Sequence, residues 1–333
     1  MNATHTARAK AHANIALAKY WGKADVALNL PAVPSISMTL SPLLTETTVS
    51  FRDDLSADEF TLDGEPARKG ELSRAAALLS RVRGEAGLSV FARVDSRNDF
   101  PTAAGLASSA SGFCALAAAA RAAAGLSFDR ARISALARQS SASAARSAFG
   151  GYVELPVGRP GDRDLAAHSL FDSDHWDLRI VVAVTAEGRK AVGSTDGMGH
   201  TEETSPYYRA WVDAAPSLAD EVRAGLESRD LEQLGEAMEQ STLAMHACAM
   251  AAAPGLIYFR PATLAAIEAV RAMRADGTPA YFTADAGPHV KTLCEAKSVA
   301  QVQARLQATE GVLRTLVAEP GAGVSVEVES SGS

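Results

Sequence analysis

The sequence has few cysteines and no long hydrophobic run, and each absence excludes a class of protein. Its three cysteines, Cys114, Cys248 and Cys294, lie far apart and form no CxxC pair. That spacing excludes a disulfide framework and a zinc site, and it fits a reducing compartment. No uninterrupted apolar run approaches the roughly 20 residues of a membrane helix, and the first ten residues contain no apolar signal core. We therefore expect a cytoplasmic protein with no membrane partner.

An excess of positive charge is also missing. The chain has 32 lysines and arginines against 39 acidic residues, a formal net charge of −7. This balance argues against a general nucleic-acid or membrane-surface binder. The seven histidines show no HExxH or similar spacing, so we expect no metal held by the protein alone. His246, in the run STLAMHACAM, is expected to pack within a helix.

What is present is typical of a globular protein with a sizeable core. Hydrophobic residues make up 47% of the 333 residues, a length that suits one large or two moderate domains. Residues 45–53 and 88–96 alternate as strands do, and the segment between them predicts a helix that stops at Gly87. Further predictions are helices at 111–124, 128–147, across most of 205–275 and at 299–307, strands at 150–158, 178–188, 278–287 and 323–330, and a long loop after residue 188.

A shift in composition near Asp177 predicts a domain boundary. The expected domains are residues 1–177 and 178–328, and residues 329–333 are expected to form a disordered tail. Strands do not alternate regularly with single helices, so the pattern favours an α+β fold over a doubly wound one.

A patch of small residues, PTAAGLASSASG from Pro101 to Gly112, precedes an alanine-rich run. Such a patch lets the backbone approach a ligand closely, and a helix start offers unpaired N–H groups and a positive dipole end. The patch is neither a Walker A loop nor a GxGxxG fingerprint. It predicts a phosphate cradle, and the alternative is a tight turn before a closely packed alanine helix.

The segment AHANIALAKYWGK gathers polar and aromatic side chains into an otherwise apolar stretch: Asn14, Lys19, Tyr20, Trp21 and Lys23. Aromatic rings supply flat walls with a polar tip, and lysine supplies a point charge for phosphate. The alternative is an edge strand whose lysines extend to solvent.

Two later segments carry hydroxyl and charged groups. In RQSSASAARSAFGG, a helix would place Ser143 and Arg146 on one face, where they suit a carboxylate or phosphate, unless the arginine is simply a surface residue. In EGRKAVGSTDGMGH, Lys190, Ser194 and Thr195 are predicted on a glycine-rich loop that folds over a ligand or is a plain connection.

Asp285 lies between a strand-like run and the pair Gly287 and Pro288. A turn aspartate often caps its own backbone. The alternative is a base or an electrostatic partner for a reacting hydroxyl.

Taken together and in this order, five segments make the chain resemble the diphosphomevalonate decarboxylases of the GHMP kinase superfamily. They are ANIALAKYWGK, FPTAAGLASSASGF, SSASAARSAFGGYVEL, KAVGSTDGM and TADAGPHVK, and they span nearly the whole chain. The third segment departs from the family's usual Ser-Gly-Ser-Ala-Cys-Arg. Ala142 and Ala145 replace the glycine and the cysteine, while Ser141, Ser143 and Arg146 remain.

The resemblance implies a two-domain α+β GHMP kinase fold with a left-handed βαβ crossover and a substrate cleft between the domains. The N-terminal domain would be like domain 2 of ribosomal protein S5, and the C-terminal domain would be ferredoxin-like. It implies an enzyme of isoprenoid biosynthesis, often homodimeric. That enzyme converts mevalonate 5-diphosphate and ATP into isopentenyl diphosphate, ADP, phosphate and CO₂.

The resemblance also implies roles for individual residues. Asp285 would hold or deprotonate the tertiary 3-hydroxyl, and Arg146 would pair with the substrate carboxylate. Mg²⁺ would arrive with ATP, with Ser109 as its candidate protein contact. The expected ATP-binding residues are Gly105, Leu106, Ala107, Ser108 and Ser109. The expected substrate-binding residues are Tyr20, Lys23, Ser141, Ser143, Arg146, Lys190 and Ser194.

Three alternatives stay open. A sister enzyme would act on a mevalonate monophosphate or phosphorylate mevalonate as a 3-kinase. Tyr20, Lys23 and Lys190 favour a diphosphate substrate, and Asp285 favours the full reaction. Another small-molecule GHMP kinase, such as one acting on homoserine, is disfavoured by the KYWGK and DAGP segments. A non-catalytic sensor is disfavoured by Asp285, Arg146 and the phosphate cradle.

Overall fold

The computed structural model describes residues 6–100, 108–188 and 192–329. The helices are α1 (Lys69–Ala86), α2 (Ser108–Ala123), α3 (Arg130–Ser140), α4 (Ser194–Thr204), α5 (Tyr208–Ser228), α6 (Leu231–Met250), α7 (Pro261–Ala275) and α8 (Val299–Gln307), with short 3-10 helices at Ala142–Ala148 and Ala296–Ser298. The strands are β1 (Thr6–Ala18), β2 (Lys23–Asp25), β3 (Leu30–Pro31), β4 (Ser35–Arg52), β5 (Glu59–Leu62), β6 (Glu65–Pro66), β7 (Phe91–Asn98), β8 (Tyr152–Leu155), β9 (His168–Phe171), β10 (Leu178–Val184), β11 (Tyr281–Thr283), β12 (Val290–Glu295), β13 (Arg314–Pro320) and β14 (Ser325–Glu329). Within this described part of the chain, every helix is too short or too polar to cross a membrane.

The long strand β4 organises the main sheet. The strands follow the order β11-β12-β10-β13-β4-β7-β5-β6, while β1 pairs with both β4 and β14, and β8 joins β4 to β9. The end of β13 pairs with the middle of β4 at Leu40 and Ser41, so β4 links the early strands to the late ones. This junction brings the end of β1 close to the β11–β12 hairpin.

The core consists of several clusters of buried side chains. Alanines of α2 pack against β1 and β4 in the first cluster, because small side chains allow a close approach between helix and sheet. A second cluster joins residues from both sides of the predicted boundary, such as Ile15 and Leu40 with Leu178 and Leu226. A third lies under α7 and α8. The boundary at residue 177 stays a prediction.

Two helical predictions from local pattern are confirmed. The helix predicted between the first two strands is α1, and Gly87 follows it in the left-handed conformation, with φ of 68°. The helix predicted at 299–307 is α8.

Two other helix predictions and one loop prediction need correction. The helix predicted at 128–147 is interrupted, because Ser141 adopts an extended conformation and a 3-10 helix follows. The helix predicted from residue 111 begins at Ser108. Ser194 does not lie on a loop but starts α4, where Asp196 in the first turn suits the helix dipole and Gly197 packs closely against Tyr258.

The strand predictions were incomplete. The strand predicted at 45–53 extends back to Ser35, and the one predicted at 88–96 runs from Phe91 to Asn98. Strand β1 has no clear alternation in its second half, because the residues from Ala13 to Ala18 are all buried. Two-sided burial removes the period-2 pattern by which a strand is recognised, so the sequence offered a strand here only as the alternative, and as an edge strand. In the structure β1 pairs with both β4 and β14.

Candidate active site

A carboxylate between two ammonium groups lies where β1 ends and the β11–β12 hairpin turns. Lys19 Nζ donates to Asp285 Oδ1 at 2.8 Å and to the carbonyl of Ala16 at 3.0 Å. Lys291 Nζ donates to the other carboxylate oxygen, Oδ2, at 3.3 Å. The lysine side chains are 1% and 3% exposed, whereas that of Asp285 is 34% exposed. The carboxylate is therefore held by two buried lysines, while part of it remains accessible to a ligand.

The electrostatics of this cluster keep Asp285 ionised. Burial alone would raise the pKa of Asp285, but Lys19 and Lys291 outweigh it and hold that pKa well below its ordinary value. Burial lowers the pKa of Lys19 to about 8, although Asp285 opposes that effect. Both members of the closest pair carry charge at neutral pH, and the lysine is within reach of deprotonation in mild alkali.

Arg146 is buried beside the same cluster. Its Nη1 donates to Ser35 Oγ at 2.7 Å, and its Nη2 donates to Asn14 Oδ1 at 3.2 Å. Burial lowers the pKa of Arg146 to about 10, and nearby Asp285 opposes the decrease. Its Nε is buried and has no hydrogen-bond partner within the described residues. A buried donor without a partner is costly, and a ligand carboxylate would satisfy it.

Asn14 fixes the segment that carries Arg146. Its amide nitrogen donates to the carbonyl of Ser143 at 3.1 Å and to Ser147 Oγ at 2.8 Å. The hydroxyls of Ser141 and Ser143 lie 3.2 Å apart at the start of this 3-10 helix. Strand β1 thus positions both the arginine and the two predicted serines.

Tyr20 and Lys23 follow directly after β1. The Tyr20 hydroxyl is buried without a hydrogen-bond partner in the described part of the chain, and burial raises its pKa although Arg146 opposes this. Burial lowers the pKa of Lys23, and Asp196 at the start of α4 opposes that decrease. The interaction places Lys23 near the helix that begins with Ser194.

A cavity of about 100 Å³ opens beside the first turn of α2. The Arg74 guanidinium lies 4.8 Å from the centre of the Phe113 ring in its wall. Arg74 also depresses the pKa of Lys23, so the cavity lies on the side of the molecule that carries Lys23. The lining residues are Phe60, Leu62, Glu71, Arg74, Ser96, Asn98, Ser109, Gly112, Phe113 and Leu116.

Some predicted site residues cannot be placed. Gly105, Leu106, Ala107 and Lys190 lie outside the described residues, as does the side chain of Ser108. In residues 6–100, 108–188 and 192–329, no group of three or more histidine, cysteine, aspartate or glutamate side chains is arranged to bind a metal.

The sequence singled out Asn14 and Lys19 as polar groups in an apolar stretch, with lysine as a point charge for phosphate. It did not predict the contacts of Asn14 with Arg146 or of Lys19 with Asp285, and it gave no role to Lys291. The register of the β11–β12 hairpin pairs Thr283 with Lys291, which brings Lys291 back beside Asp285. A predicted β11–β12 hairpin would have placed Lys291 beside Asp285 by its register, but β12 was not predicted. Lys19 is a charged residue at the end of an apolar run. A charge in that position is rarely buried unless it is paired, so the pattern is consistent with a buried ion pair.

Comparisons with known proteins agree across the chain. Residues 11–167 match the family described as diphosphomevalonate decarboxylase-like N-terminal domain, and residues 180–316 match the mevalonate 5-diphosphate decarboxylase C-terminal domain. A phosphomevalonate decarboxylase of Haloferax volcanii is 35% identical over 285 residues, which cover 85% of this chain and 86% of that relative.

Solved structures are similar over almost the full length. A crystal structure of mevalonate diphosphate decarboxylase from Staphylococcus aureus has a TM-score of 0.91 and 37% identity, covering 97% of this chain and 98% of that one. A structure described as MDDEF in complex with MVAPP, AMPPCP and magnesium has a TM-score of 0.90 and 38% identity, covering 97% and 99%. These similarities confirm the predicted two-domain α+β fold of the GHMP kinase type. The chain belongs to the diphosphomevalonate decarboxylase family.

Proposed function

We propose that the protein catalyses the ATP-dependent decarboxylation of mevalonate 5-diphosphate to isopentenyl diphosphate, ADP, phosphate and CO₂. The observation that carries this proposal is the Asp285 carboxylate fixed between Lys19 and Lys291, beside the Arg146 guanidinium. Three cations face one carboxylate, so the site has an excess of positive charge. Such a site attracts a substrate whose carboxylate and phosphate groups are all anionic. The similarity to a structure that holds MVAPP and AMPPCP supports the same pair of ligands.

The chemistry begins with a poor leaving group. Transfer of the terminal phosphoryl group of ATP to the tertiary 3-hydroxyl converts that oxygen into a good leaving group and releases ADP. The C–O bond then breaks, and phosphate departs with the bonding electrons. The electron pair of the bond to the carboxylate forms the alkene as CO₂ leaves. Phosphoryl transfer depends mainly on positioning and charge stabilisation, which are what a rigid cluster supplies.

Asp285 is assigned the alignment of the 3-hydroxyl. Its exposed oxygens accept the hydroxyl hydrogen bond and direct the oxygen towards the ATP phosphate. Because Lys19 and Lys291 hold its pKa low, the carboxylate is always ionised at neutral pH but is a weak base. Proton removal therefore follows the development of the new P–O bond rather than preceding it.

Arg146 and Tyr20 are assigned to the substrate carboxylate. The Arg146 Nε–H and the Tyr20 hydroxyl are buried, and neither has a partner among the described residues. A carboxylate can accept from both, and the planar guanidinium fixes its orientation. That orientation aligns the C–C bond to the substrate carboxylate with the C–O bond that breaks.

The phosphate end of the substrate is assigned to Lys23 and the start of α4. Lys23 lies near the start of α4, where Ser194 is the first helical residue. A helix start with a lysine beside it suits a diphosphate. The same role is proposed for Lys190 and for the hydroxyls of Ser141 and Ser143.

ATP is assigned to the start of α2. The cavity beside Ser109 has an aromatic wall at Phe113 and a cation at Arg74, which suit a base and its attached phosphates. The preceding residues, Gly105 to Ser108, would present backbone N–H groups to the phosphates. Mg²⁺ enters as part of the ATP substrate, where it neutralises phosphate charge, and Ser109 is its candidate protein contact.

A second candidate substrate is mevalonate 5-phosphate, because the Haloferax volcanii relative is a phosphomevalonate decarboxylase. The test supplies the purified protein and Mg-ATP with mevalonate, its 5-phosphate or its 5-diphosphate, each labelled at the carboxylate carbon. We expect equimolar ADP and CO₂, with the highest kcat/KM for the diphosphate. A higher kcat/KM for the monophosphate would assign the second substrate. ADP without CO₂ would indicate a 3-kinase, and binding without turnover would indicate a sensor.

The quaternary and cellular assignments are proposals of the same kind. We expect a homodimer in the cytoplasm, on the basis of the family resemblance and the composition. Light scattering coupled to gel filtration measures the assembly directly, and a mass near 34.6 kDa, that of a single chain, would contradict it.

A further inference from the structure

Helix α6 runs behind the Asp285 cluster and binds both segments that form it. Ser241 Oγ accepts from the backbone N–H of Lys19 at 2.9 Å. One residue later, the hydroxyl of Thr242 lies 2.9 Å from that of Thr283, the last residue of β11. These contacts fix the backbone of Lys19 and the strand that leads to Asp285.

His246, one turn further along α6, reaches the residue next to Asp285. Its Nε2 lies 3.3 Å from the carbonyl oxygen of Ala284. The imidazole is 1% exposed. It stacks on Phe259, with ring centres 4.1 Å apart at 38°, and Tyr258 meets it edge-on at 6.2 Å. The ring thus packs against two aromatic side chains, and its Nε2 is directed at one carbonyl.

The hydrogen bond determines which ring nitrogen of His246 carries the proton. A carbonyl oxygen can only accept, so Nε2 must be the protonated, donating nitrogen. Nδ1 then holds a lone pair, and it is buried with no partner among the described residues. The charged groups that face the ring are Lys19, Lys291 and Asp285. Burial, reinforced by Lys19, lowers the pKa of His246 to about 4, so the ring is neutral at neutral pH.

The turn after Ala284 is anchored at its far end, where the hydroxyls of Thr185 and Thr263 donate to the Pro288 carbonyl at 2.7 and 2.6 Å. Gly287 follows two residues after Asp285, and its N–H donates back to the Asp285 carbonyl at 2.6 Å. The Asp285 side chain is bound by two lysines, but its backbone position depends on the orientation of the peptide group between Ala284 and Asp285. The His246 hydrogen bond acts directly on the carbonyl of that peptide group.

We propose that His246 is a positioning residue for the reaction: a neutral imidazole that donates from Nε2 to the Ala284 carbonyl and thereby fixes the peptide from which the Asp285 carboxylate extends. The inference rests on the proposed function for its kinetic consequence but not for its geometry. His246 does not touch substrate and transfers no proton. Its effect is expected in kcat, since a displacement of about 1 Å at a reacting group lowers the rate by up to about 100-fold.

The test compares His246→Leu, which fills the space without a donor, with His246→Gln, whose amide nitrogen can still donate to Ala284. For the leucine variant we expect kcat to fall about 10- to 100-fold, with the KM for each substrate within about threefold of wild type. The glutamine variant should recover kcat to within about threefold. Met245→Leu, a volume-conserving change at the preceding residue of α6, is the control and should leave kcat unchanged.

A comparison of His246→Gln with His246→Asn tests the proposal if the leucine variant does not fold. His246→Asn carries the same amide as glutamine on a shorter side chain that falls short of Ala284, so its kcat should be lower than that of the glutamine variant. Wild-type kcat in the leucine variant, or equal losses in the glutamine and asparagine variants, would overturn the proposal.

Crystal structures of these variants separate this inference from the proposed function. The distance between Lys19 Nζ and Asp285 Oδ1 is 2.8 Å in the native protein, and it requires no substrate to measure. We expect it to lengthen beyond hydrogen-bond range in His246→Leu and to persist in His246→Gln. An unchanged distance in the leucine variant would refute the positioning role even if the wild-type enzyme proved to use another substrate.

Discussion

The substitution Lys19→Met separates the charge beside Asp285 from the packing around it. Methionine keeps an unbranched apolar stem in a site that is 1% exposed, but it removes the ammonium group 2.8 Å from the carboxylate. A hydrogen bond between charged groups contributes about 1.5–3 kcal/mol. If that contribution is fully expressed in the transition state, kcat should fall about 10- to 150-fold, at about 1.4 kcal/mol for each factor of ten.

The assay measures ADP and CO₂ release under saturating Mg-ATP and mevalonate 5-diphosphate. We expect the KM for ATP to stay within about threefold of wild type, because the proposed ATP site lies at the start of α2. Lys10→Met is the matched control: Lys10 lies on the same strand, its side chain is 40% exposed, and it pairs with Glu46 at 3.5 Å. Exposed pairs of this kind contribute about 0–1 kcal/mol, so the control should retain wild-type kcat.

Asp285 should remain ionised in Lys19→Met, because Lys291 still donates to it. The loss of rate should therefore come from lost alignment rather than from protonation, and raising the pH should not restore it. Wild-type kcat in the Lys19→Met variant, or full recovery of its kcat at higher pH, would show that the Lys19 ammonium does not align Asp285.

Three further predictions concern the same site. Arg146→Lys keeps the charge but loses the planar fork and its Nε–H, so kcat/KM should fall well beyond tenfold, and unchanged kinetics would make Arg146 structural. The kcat/KM of the wild type should decrease above about pH 8. Burial lowers the pKa of Lys19 in the free enzyme to about 8, and deprotonation removes the ammonium group that binds Asp285. A flat kcat/KM profile up to about pH 9.5 would exclude a role for the Lys19 charge. Gly197→Ala should raise the KM for mevalonate 5-diphosphate about tenfold, because the new methyl group would lie 2.5 Å from the Tyr258 hydroxyl and displace α4. Gly199→Ala, with no atom within 4 Å of its methyl group, should not raise it, and equal effects of the two substitutions would contradict the explanation.

Local sequence pattern predicted the elements whose signals are local. Helix α1 has one buried stripe and a left-handed glycine after its last turn, and both features are visible in the sequence. Strand β1 has neither alternation nor flanking turn residues in its second half, because both of its faces are covered there. Ser194 was placed on a loop because glycines are poor helix formers, yet packing of Gly197 against Tyr258 overrides that preference.

The site residues also fall into two groups: those that a short motif reveals and those that only the fold brings together. Asp285 and Arg146 could be named from short motifs because each stands in a distinctive local context. The partner of Asp285 could not, because Lys19 is 266 residues away in the chain and meets it only when the fold brings the end of β1 to the end of β11. His246 illustrates the same limit: its sequence neighbours predicted helix packing, which is correct, but only the fold brings it to Ala284.

The proposed function depends on an ionised Asp285, fixed by two lysines, that aligns the alcohol receiving the phosphoryl group. A crystal structure with mevalonate 5-diphosphate bound would measure this alignment. We expect the 3-hydroxyl oxygen about 2.6–3.2 Å from an Asp285 carboxylate oxygen, with the substrate carboxylate on Arg146 Nε. A bound substrate whose 3-hydroxyl points away from Asp285, with the two lysines still in place, would contradict it.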